Sequence, residues 1–356
     1  MWYNTQASKI LNIQYPILQG PFGGNLSSVK LVSSVSNLGG LGGFGAYTLS
    51  PEEIISVDRQ IKAATDKPYN INLWVSDSDV PAGGLDDARY QEAVKLFRPY
   101  FDELEIAIPE KPLPFISRFE NQAEALLHQK PPVFSFVFGI PSADILEQCR
   151  KAGIVTVGAA TTVDEAIALE ASGVDLIVAS GFEAGGHRPS FLESSENSLS
   201  GTFVLVQLIR EKVKTPVVAA GGIVDGKGVA AAMKLGAEAV QIGTAFLACD
   251  ESNITDAHRE ALFSDQAKDT MLTRVFTGRL GRGLASRLGQ ELSGKEKQFL
   301  PFPLQAHFMS SLRQAAIAQK KTDLLMFWSG QVAPALRHRT VSGLMNDILA
   351  ETSASL

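Results

Sequence analysis

The sequence predicts an α/β protein of the (β/α)8, or TIM-barrel, class carrying a smaller, mostly helical cap. Three observations predict it. Short apolar, β-branched runs recur along the chain, each followed by a segment of helical period, which is the pattern of βα units around a parallel sheet. Eight such runs can be counted, and their near-continuous hydrophobicity is that of strands buried on both faces. The eighth run ends near residue 245 of 356, about the length of one barrel, which leaves over a hundred residues for something else.

The runs are residues 16–20 (PILQG), 40–44 (GLGGF), 70–74 (NINLW), 133–138 (VFSFVF), 154–157 (IVTV), 175–179 (DLIVA), 216–220 (PVVAA) and 239–242 (AVQI). The connecting segments carry helix signals. Residues 142–152 start with a Ser cap and stop at Gly153; residues 162–172 start with a Thr cap, have Glu165 three residues on and stop at Gly173. The acidic, proline-punctuated segment 76–114 reads as an insertion at the end of a strand, where barrel enzymes vary. Residues 1–250 are thus assigned to the barrel and 251–325 to a helical cap over its mouth. Within the cap a Gly- and Arg-rich stretch, 277–294, reads as flexible. Residues 326–356 are expected to pack back on the barrel. No internal repeat beyond the βα alternation is visible.

Composition removes several classes. A chain with 45% hydrophobic and 20% charged residues is globular, and its 31 glycines, neither periodic nor joined to a proline excess, point to tight loops rather than collagen or low complexity. The formal net charge is −6 with no long run of one sign, so nothing electrostatic invites nucleic acid or an anionic membrane surface. Cys149 and Cys249 lie far apart and neither belongs to a CxxC pair, which argues against zinc and against a disulfide framework. No metal site is expected. With no recognisable signal peptide and no stretch of about 18 uninterrupted apolar residues, the expectation is a soluble, cytoplasmic protein without a membrane partner.

In such a barrel the active site lies at the carboxyl ends of the strands, and phosphate is often held by the loops after the seventh and eighth. The seventh run here leads into Gly221-Gly222-Ile223-Val224-Asp225-Gly226-Lys227-Gly228 and a helix; the eighth ends in Gln241-Ile242-Gly243-Thr244. Paired glycines let N–H groups approach an anion, and the helix start behind them adds a favourable dipole. Glycines at one loop would mean a tight turn and no more, but two such loops in the right order point to a bound phosphoryl group. After the sixth run comes Ser180-Gly181-Phe182-Glu183-Ala184-Gly185-Gly186-His187-Arg188, which sets an imidazole on a loop able to approach a flat ligand. His187 titrates near neutrality and could take a proton or stabilise a developing anion. A lone histidine is more often structural, and Glu183 with Arg188 reads equally as a loop-stabilising pair. Gln19, Gly20 and Pro21 end the first run and Asn72 lies in the third. Their amides could read the polar edge of a heterocycle, or Asn72 could satisfy buried backbone groups.

Taken in order, YPILQGPFGG, NINLW, GFEAGGHRP, TPVVAAGGIVDGKG and VQIGTAFLACDES resemble the motif series of the nitronate monooxygenase family, formerly called 2-nitropropane dioxygenases. The likeness runs from about residue 10 to 252, with weaker echoes in FTGRLGRG (276–283) and FWSGQ (327–331). It implies a (β/α)8 barrel with noncovalent FMN, a smaller helical substrate domain, and oxidation of alkyl nitronates, or nitroalkanes, with O2 to a carbonyl compound and nitrite. By the resemblance, Asn72 lies near the flavin, Gly185 contacts it ahead of Gly186, Gly221 and Gly222 form one phosphate loop, Gln241 to Thr244 form the other, and His187 is the active-site histidine. The chain departs from the family at Ser180-Gly181, where Gln-Gly is common, and at Pro189, where a glycine is common after HR.

Three other readings stand beside this one. An FMN-dependent enoyl-acyl-carrier-protein reductase has similar phosphate loops and a barrel histidine, but needs NAD(P)H. A flavin-binding barrel without turnover would bind FMN and react with nothing. A sugar-phosphate isomerase would bind no flavin at all. His128, His258, His307 and His338 show no metal-like spacing and are given no role. Trp328 and Gln331 would close over the flavin or simply pack in the core. Oligomeric state is left open, a homo-oligomer included.

Overall fold

The computed structural model describes residues 1–76, 84–111 and 118–356. Each of the eight apolar runs carries a strand: β1 (Ile17–Gln19), β2 (Gly42–Gly45), β3 (Tyr69–Trp74), β4 (Val133–Val137), β5 (Val155–Ala160), β6 (Leu176–Ser180), β8 (Val217–Ala220) and β9 (Ala239–Ile242), with a two-residue β7 (Gly186–His187) between β6 and β8. All but β7 pair in parallel in the order β1-β9-β8-β6-β5-β4-β3-β2. A parallel bridge between Leu18 and Leu41 closes the ring, so the fold is the (β/α)8 barrel.

The helices start where local chemistry dictates. Ser50 caps Pro51–Ala64 in a reciprocal box with Glu53, with Pro51 at the first helical position. Ser142 and Thr162 cap Ala143–Ala152 and Val163–Ala171, and the first of these ends at Gly153 with φ +72, a conformation that a β-carbon would disfavour. The ring's eighth helix is supplied late. Val341–Ser355 packs between Val29–Asn37 and Gly226–Lys234, so the cap interrupts the barrel between its last strand and its last helix.

Strand alternation decides what faces the interior. Ile71 and Leu73 of β3 join the cluster between sheet and helices, which turns Asn70, Asn72 and, one step on, Trp74 to the other face. By the same count Leu18 is interior and Gln19 is not; Ala239 is interior and Ile242 is not. Ala7 and Leu11 of the N-terminal segment join the interior cluster together with the first residues of three strands, Val133, Leu176 and Ala239.

A second core lies over the mouth. Phe97 and Phe101 on Asp87–Glu103 pack with Phe299 and Phe308, so the described part of the expected insertion 76–114 belongs with the cap. Residues 77–83 and 112–117 of that insertion lie outside the described residues. The cap is mostly helical, as expected, with one addition. It contains β10 (Thr270–Thr273) and β11 (Gly281–Leu284), antiparallel to each other, and β11 pairs in turn with β7. The stretch 277–294, expected to be flexible, therefore holds a buried strand and the helix Arg287–Glu291, because Gly281 and Gly283 admit close neighbours, Trp328 and Phe327, that no side chain there would allow.

The loop from β6 to Thr202–Lys212 is tied down by Arg188, which is 1% exposed. Its guanidinium donates to the carbonyls of Ser180 (3.0 Å), Gly181 (2.6 Å) and Ser198 (2.7 Å). Glu183 is not its partner, contrary to one reading of the sequence: that carboxylate accepts from the N–H of Thr202 (2.9 Å) and lies 3.0 Å from its hydroxyl. Removing the guanidinium takes a donor from three carbonyls, of which Gly181 keeps the Ala184 N–H (3.1 Å), so Arg188→Met is expected to lower the unfolding free energy by about 3 kcal/mol in urea denaturation. A change within about 0.5 kcal/mol would show that these bonds are replaced by water.

Candidate active site

One cavity of about 710 Å3 opens at the carboxyl ends of the strands and runs beneath the cap. It falls within the roughly 300–1,000 Å3 of small-molecule sites. Of the residues singled out from sequence, Gly20, Pro21, Asn72, Ser180, Gly185, Gly186, His187, Gly221, Gly222, Gln241, Gly243 and Thr244 line it. Gln19 and Ile242 do not. Both point away from the interior by the period of two; the Gln19 amide is used up locally, accepting from Gly43 N–H (2.8 Å) and donating to the Gly20 carbonyl, and Ile242 is fully buried against the helices.

The loops after β8 and β9 form an anion cradle made of backbone. Gly221 (φ +111) and Gly222 (φ +69) adopt left-handed conformations, and the N–H groups of Gly222, Ile223, Gly243 and Thr244 meet no acceptor among the described residues. The start of the helix Gly226–Lys234 is already engaged by side chains. Its Gly226 N–H donates to Glu351 (3.0 Å) and its Gly228 N–H to the N-cap Asp225 (2.9 Å), so carboxylates already satisfy its positive end. Thr202 braces the cradle: its hydroxyl lies within hydrogen-bond distance of the carbonyls of Ala220 (3.1 Å) and Gly221 (3.0 Å) as well as of Glu183, its one proton going to one of the three. Deeper in, Asn72 donates to Ser135 Oγ (2.9 Å), a side-chain partner rather than the backbone. Phosphate-accepting amides, side-chain amides at Asn72 and Gln241, and a cavity of this size fit a phosphorylated planar cofactor.

His187 stands where barrel and cap meet. Its backbone pairs with Gly281 of β11, and Nε2 lies 2.8 Å from the hydroxyl of Thr277. The rings of Trp328 (4.7 Å between centroids), Trp74 (5.2 Å), Phe138 (6.5 Å) and Phe302 (6.5 Å) surround it. Phe138 keeps a φ of +62, rare for a bulky residue and costing on the order of 1–3 kcal/mol. The Arg279 guanidinium lies over that ring at 3.9 Å and over Phe302 at 4.3 Å. Burial, and secondarily the Arg279 charge, push the His187 pKa down to about 3, so the imidazole is neutral near pH 7.

The strap Phe327–Gln331 completes the wall. Gly330 N–H donates to Thr244 Oγ1 (2.9 Å), Gln331 N–H to the Glu183 carbonyl (3.0 Å), and His258 Nε2 meets the Trp328 carbonyl at 2.9 Å. A β-carbon on Gly185 would fall 2.5 Å from Gly330 N, so this crossing requires glycine. The sequence reading missed His258, Thr277, Arg279 and Phe302. All four lie in the cap, where strand periodicity gives no guidance, and His258 lacks any motif. Trp328 lines the cavity, while Gln331 anchors the strap behind it.

Fold and site define an α/β-barrel enzyme whose mouth combines an amide cradle with an enclosed, neutral histidine. The sequence model of the family described as nitronate monooxygenase matches residues 4–351. A protein from Staphylococcus haemolyticus (strain JCSC1435) described as "Probable nitronate monooxygenase" is 35% identical over 358 residues, covering 100% of this chain and 99% of its own. A Staphylococcus aureus (strain Newman) protein of the same description is 35% identical, covering 98% and 97%. Among solved structures, nitroalkane oxidase from Streptomyces ansochromogenes superposes with a TM-score of 0.89 at 31% identity, covering 98% of each chain. FabK from Thermotoga maritima gives 0.76 at 26% identity, covering 99% of this chain and 97% of that one. The chain belongs to the nitronate monooxygenase family, and is thereby an oxidoreductase of a flavin-dependent kind. Among the described residues no helix is long and apolar enough to cross a membrane.

The two enclosed histidines tie stability to pH. Burial holds the His258 pKa down to about 4 and that of His187 to about 3, against 6.5 for an ordinary imidazole. Between these values the unfolded chain binds more protons than the folded one, so their contribution is complete above about pH 6.5 and is lost as pH falls toward 4 and then 3. The thermal midpoint is expected to drop on acidification through this window, and less steeply in His258→Gln. Equal slopes in the two proteins would contradict the assignment.

Proposed function

We propose that the chain binds FMN in this cavity and oxidises alkyl nitronates with O2 to the carbonyl compound and nitrite. The observation that carries the reading is the pairing, in one cavity, of an acceptor-free amide cradle with His187 enclosed by aromatic rings. FMN, when bound, supplies the electron-transfer chemistry. The amides of Gly222, Ile223, Gly243 and Thr244 would hold its phosphate, and Asn72 and Gln241 would meet the polar edge of its ring; Ser180, at the same level, offers a shorter donor than the glutamine common in the family.

The remaining work falls to the protein's own groups. Trp74, Trp328, Phe138 and Phe302 exclude water around His187, which strengthens any charge interaction there. A nitronate is an anion, and the guanidinium of Arg279 supplies positive potential on that side of the cavity. The neutral imidazole of His187 is available to accept the α-proton of a nitroalkane or, once protonated, to hold the nitro oxygens. Cys149 and Cys249 are free and buried, with thiols pushed up by burial to about 11 and about 12, which makes both poor nucleophiles and gives them no part in the reaction.

Purified protein is expected to be yellow, with bound FMN identified after denaturation. A colourless protein that gains no flavin absorbance on adding FMN would overturn the cofactor assignment. His187→Ala should retain flavin while nitrite formation from a nitronate falls by at least a hundredfold, on the order of general acid–base contributions. Full turnover in a flavin-replete variant would remove His187 from the reaction, and rapid anaerobic bleaching by NADH would favour the reductase reading.

A further inference from the structure

The cavity extends well past the cradle and His187. One of its walls is a stripe on the cap: Ala306, Met309, Ser310 and Arg313, spaced three and four apart on the successive helices Leu304–Phe308 and Ser310–Ala318, all line it. The stripe starts beside His187, since Phe302, four residues before Ala306, has its ring centroid 6.5 Å from that of the imidazole. From Ala306 to Arg313 a helical wall advances about 10 Å, at about 1.5 Å per residue. Leu247, Leu312, Leu325 and Phe327 line the cavity too and belong to the buried core of the cap, which makes this stretch apolar.

The far end is charged. Arg313 is the one arginine or lysine among the described residues that line the cavity, and Glu183, the one carboxylate, is held by Thr202. The Arg313 side chain is exposed and has no hydrogen bond or ion pair among the described residues. Arg259, nearby, is the opposite case: it donates to the carbonyls of Ala248 (2.7 Å) and Cys249 and lies 3.6 Å from Asp250. His258 marks the same end of the cavity, for burial first, and after it the charges of Arg259 and Arg313, hold its pKa low.

We propose that this passage takes the tail of the substrate, and that Arg313 selects nitro compounds whose chain of about ten atoms ends in a carboxylate. The inference rests on the oxidation proposed above and adds its substrate class. The nitro head reacts beside His187, the methylenes lie against Met309, Leu312 and Leu325, and the carboxylate meets the guanidinium, whose planar fork matches its two oxygens. At about 1.2 Å of advance per chain bond, ten atoms cover the length of the stripe. Each methylene gains by leaving water for the apolar lining. A short acid would instead strand its carboxylate among apolar side chains with Arg313 out of reach, and an uncharged tail would leave the cation unused. The exposed position keeps the guanidinium hydrated while no ligand is bound. A phosphate monoester would set two negative charges against one cation, which the single charge of a carboxylate matches.

Calorimetric titration of the purified protein with decanoate tests the tail site without turnover. Decanoate is expected to bind at least fivefold more tightly than decanol, butanoate or decyl phosphate, the scale of a bidentate pair in contact with solvent. Arg313→Gln should bring decanoate and decanol to within twofold of each other, and Arg313→Glu should favour decylammonium; the position is exposed, so both variants are expected to fold. In turnover, the ω-nitro derivative of decanoate should exceed its methyl ester at least fivefold in kcat/KM, through KM, and match it within twofold in Arg313→Gln. Equal binding of decanoate and decanol, butanoate binding as tightly, tighter binding of decyl phosphate, or a preference that survives Arg313→Gln would overturn the proposal. Absence of nitrite from every nitro compound would refute the reaction, while the titrations would still decide the tail site. Nitrite formed equally well from acid and ester would leave the reaction standing and remove Arg313 from substrate choice.

Discussion

The antiparallel pairing of Gly186–His187 with Gly281–Arg282 joins a barrel loop to the cap, and the site depends on it. A histidine on a free loop at a barrel mouth would sample many directions and titrate near its ordinary value. Here its backbone is an edge strand of a three-stranded sheet whose other members belong to the cap. That pairing places Thr277 on one side of the ring and brings Phe302 and Arg279 over Trp74 and Phe138. Barrel and cap each supply about half of the enclosure, so the imidazole's neutrality is a property of the closed interface rather than of either part.

Much of the barrel was legible because its signal is repetitive. Buried parallel strands read as apolar runs, each of the eight was found, and the ring closes in the expected order. Residues such as Gly221, Gly222, Gly243 and His187 follow from the same logic, since carboxyl ends of strands face the mouth. Gln19 and Ile242 lie off the cavity for a reason the sequence contained: counting by two from Leu18 and from Ala239 turns both outward. The short helix-like and strand segments of the cap are different. Whether Gly281 and Gly283 sit in a loop or a strand depends on what approaches them, and their neighbours Trp328 and Phe327 come from more than forty residues away. Side chains such as Thr277 and Arg279 acquire meaning only from that pairing.

The cradle also separates two ideas that the motif merges. Gly221-Gly222 followed by a helix suggests a dipole aimed at phosphate, yet Asp225 and Glu351 occupy that helix start, and the open N–H groups belong to the turn at Gly222–Ile223 and to Gly243–Thr244, where the short helix Thr244–Leu247 begins. Binding an anion with uncharged amides suits a chain of net charge −6, because it needs no basic patch. It also leaves Arg279 as the cation whose charge acts on His187.

The position of Val341–Ser355 bears on how the molecule is made. As this helix closes the outer ring between Val29–Asn37 and Gly226–Lys234, the barrel's hydrophobic flank stays open after all eight strands have left the ribosome. Val341, Leu344, Met345 and Ile348, all buried in the finished barrel, are translated only after the whole cap. Strand order and cap order are therefore interleaved in time. The apolar groove between Val29–Asn37 and Gly226–Lys234 can be filled only once residues 341–355 have been made.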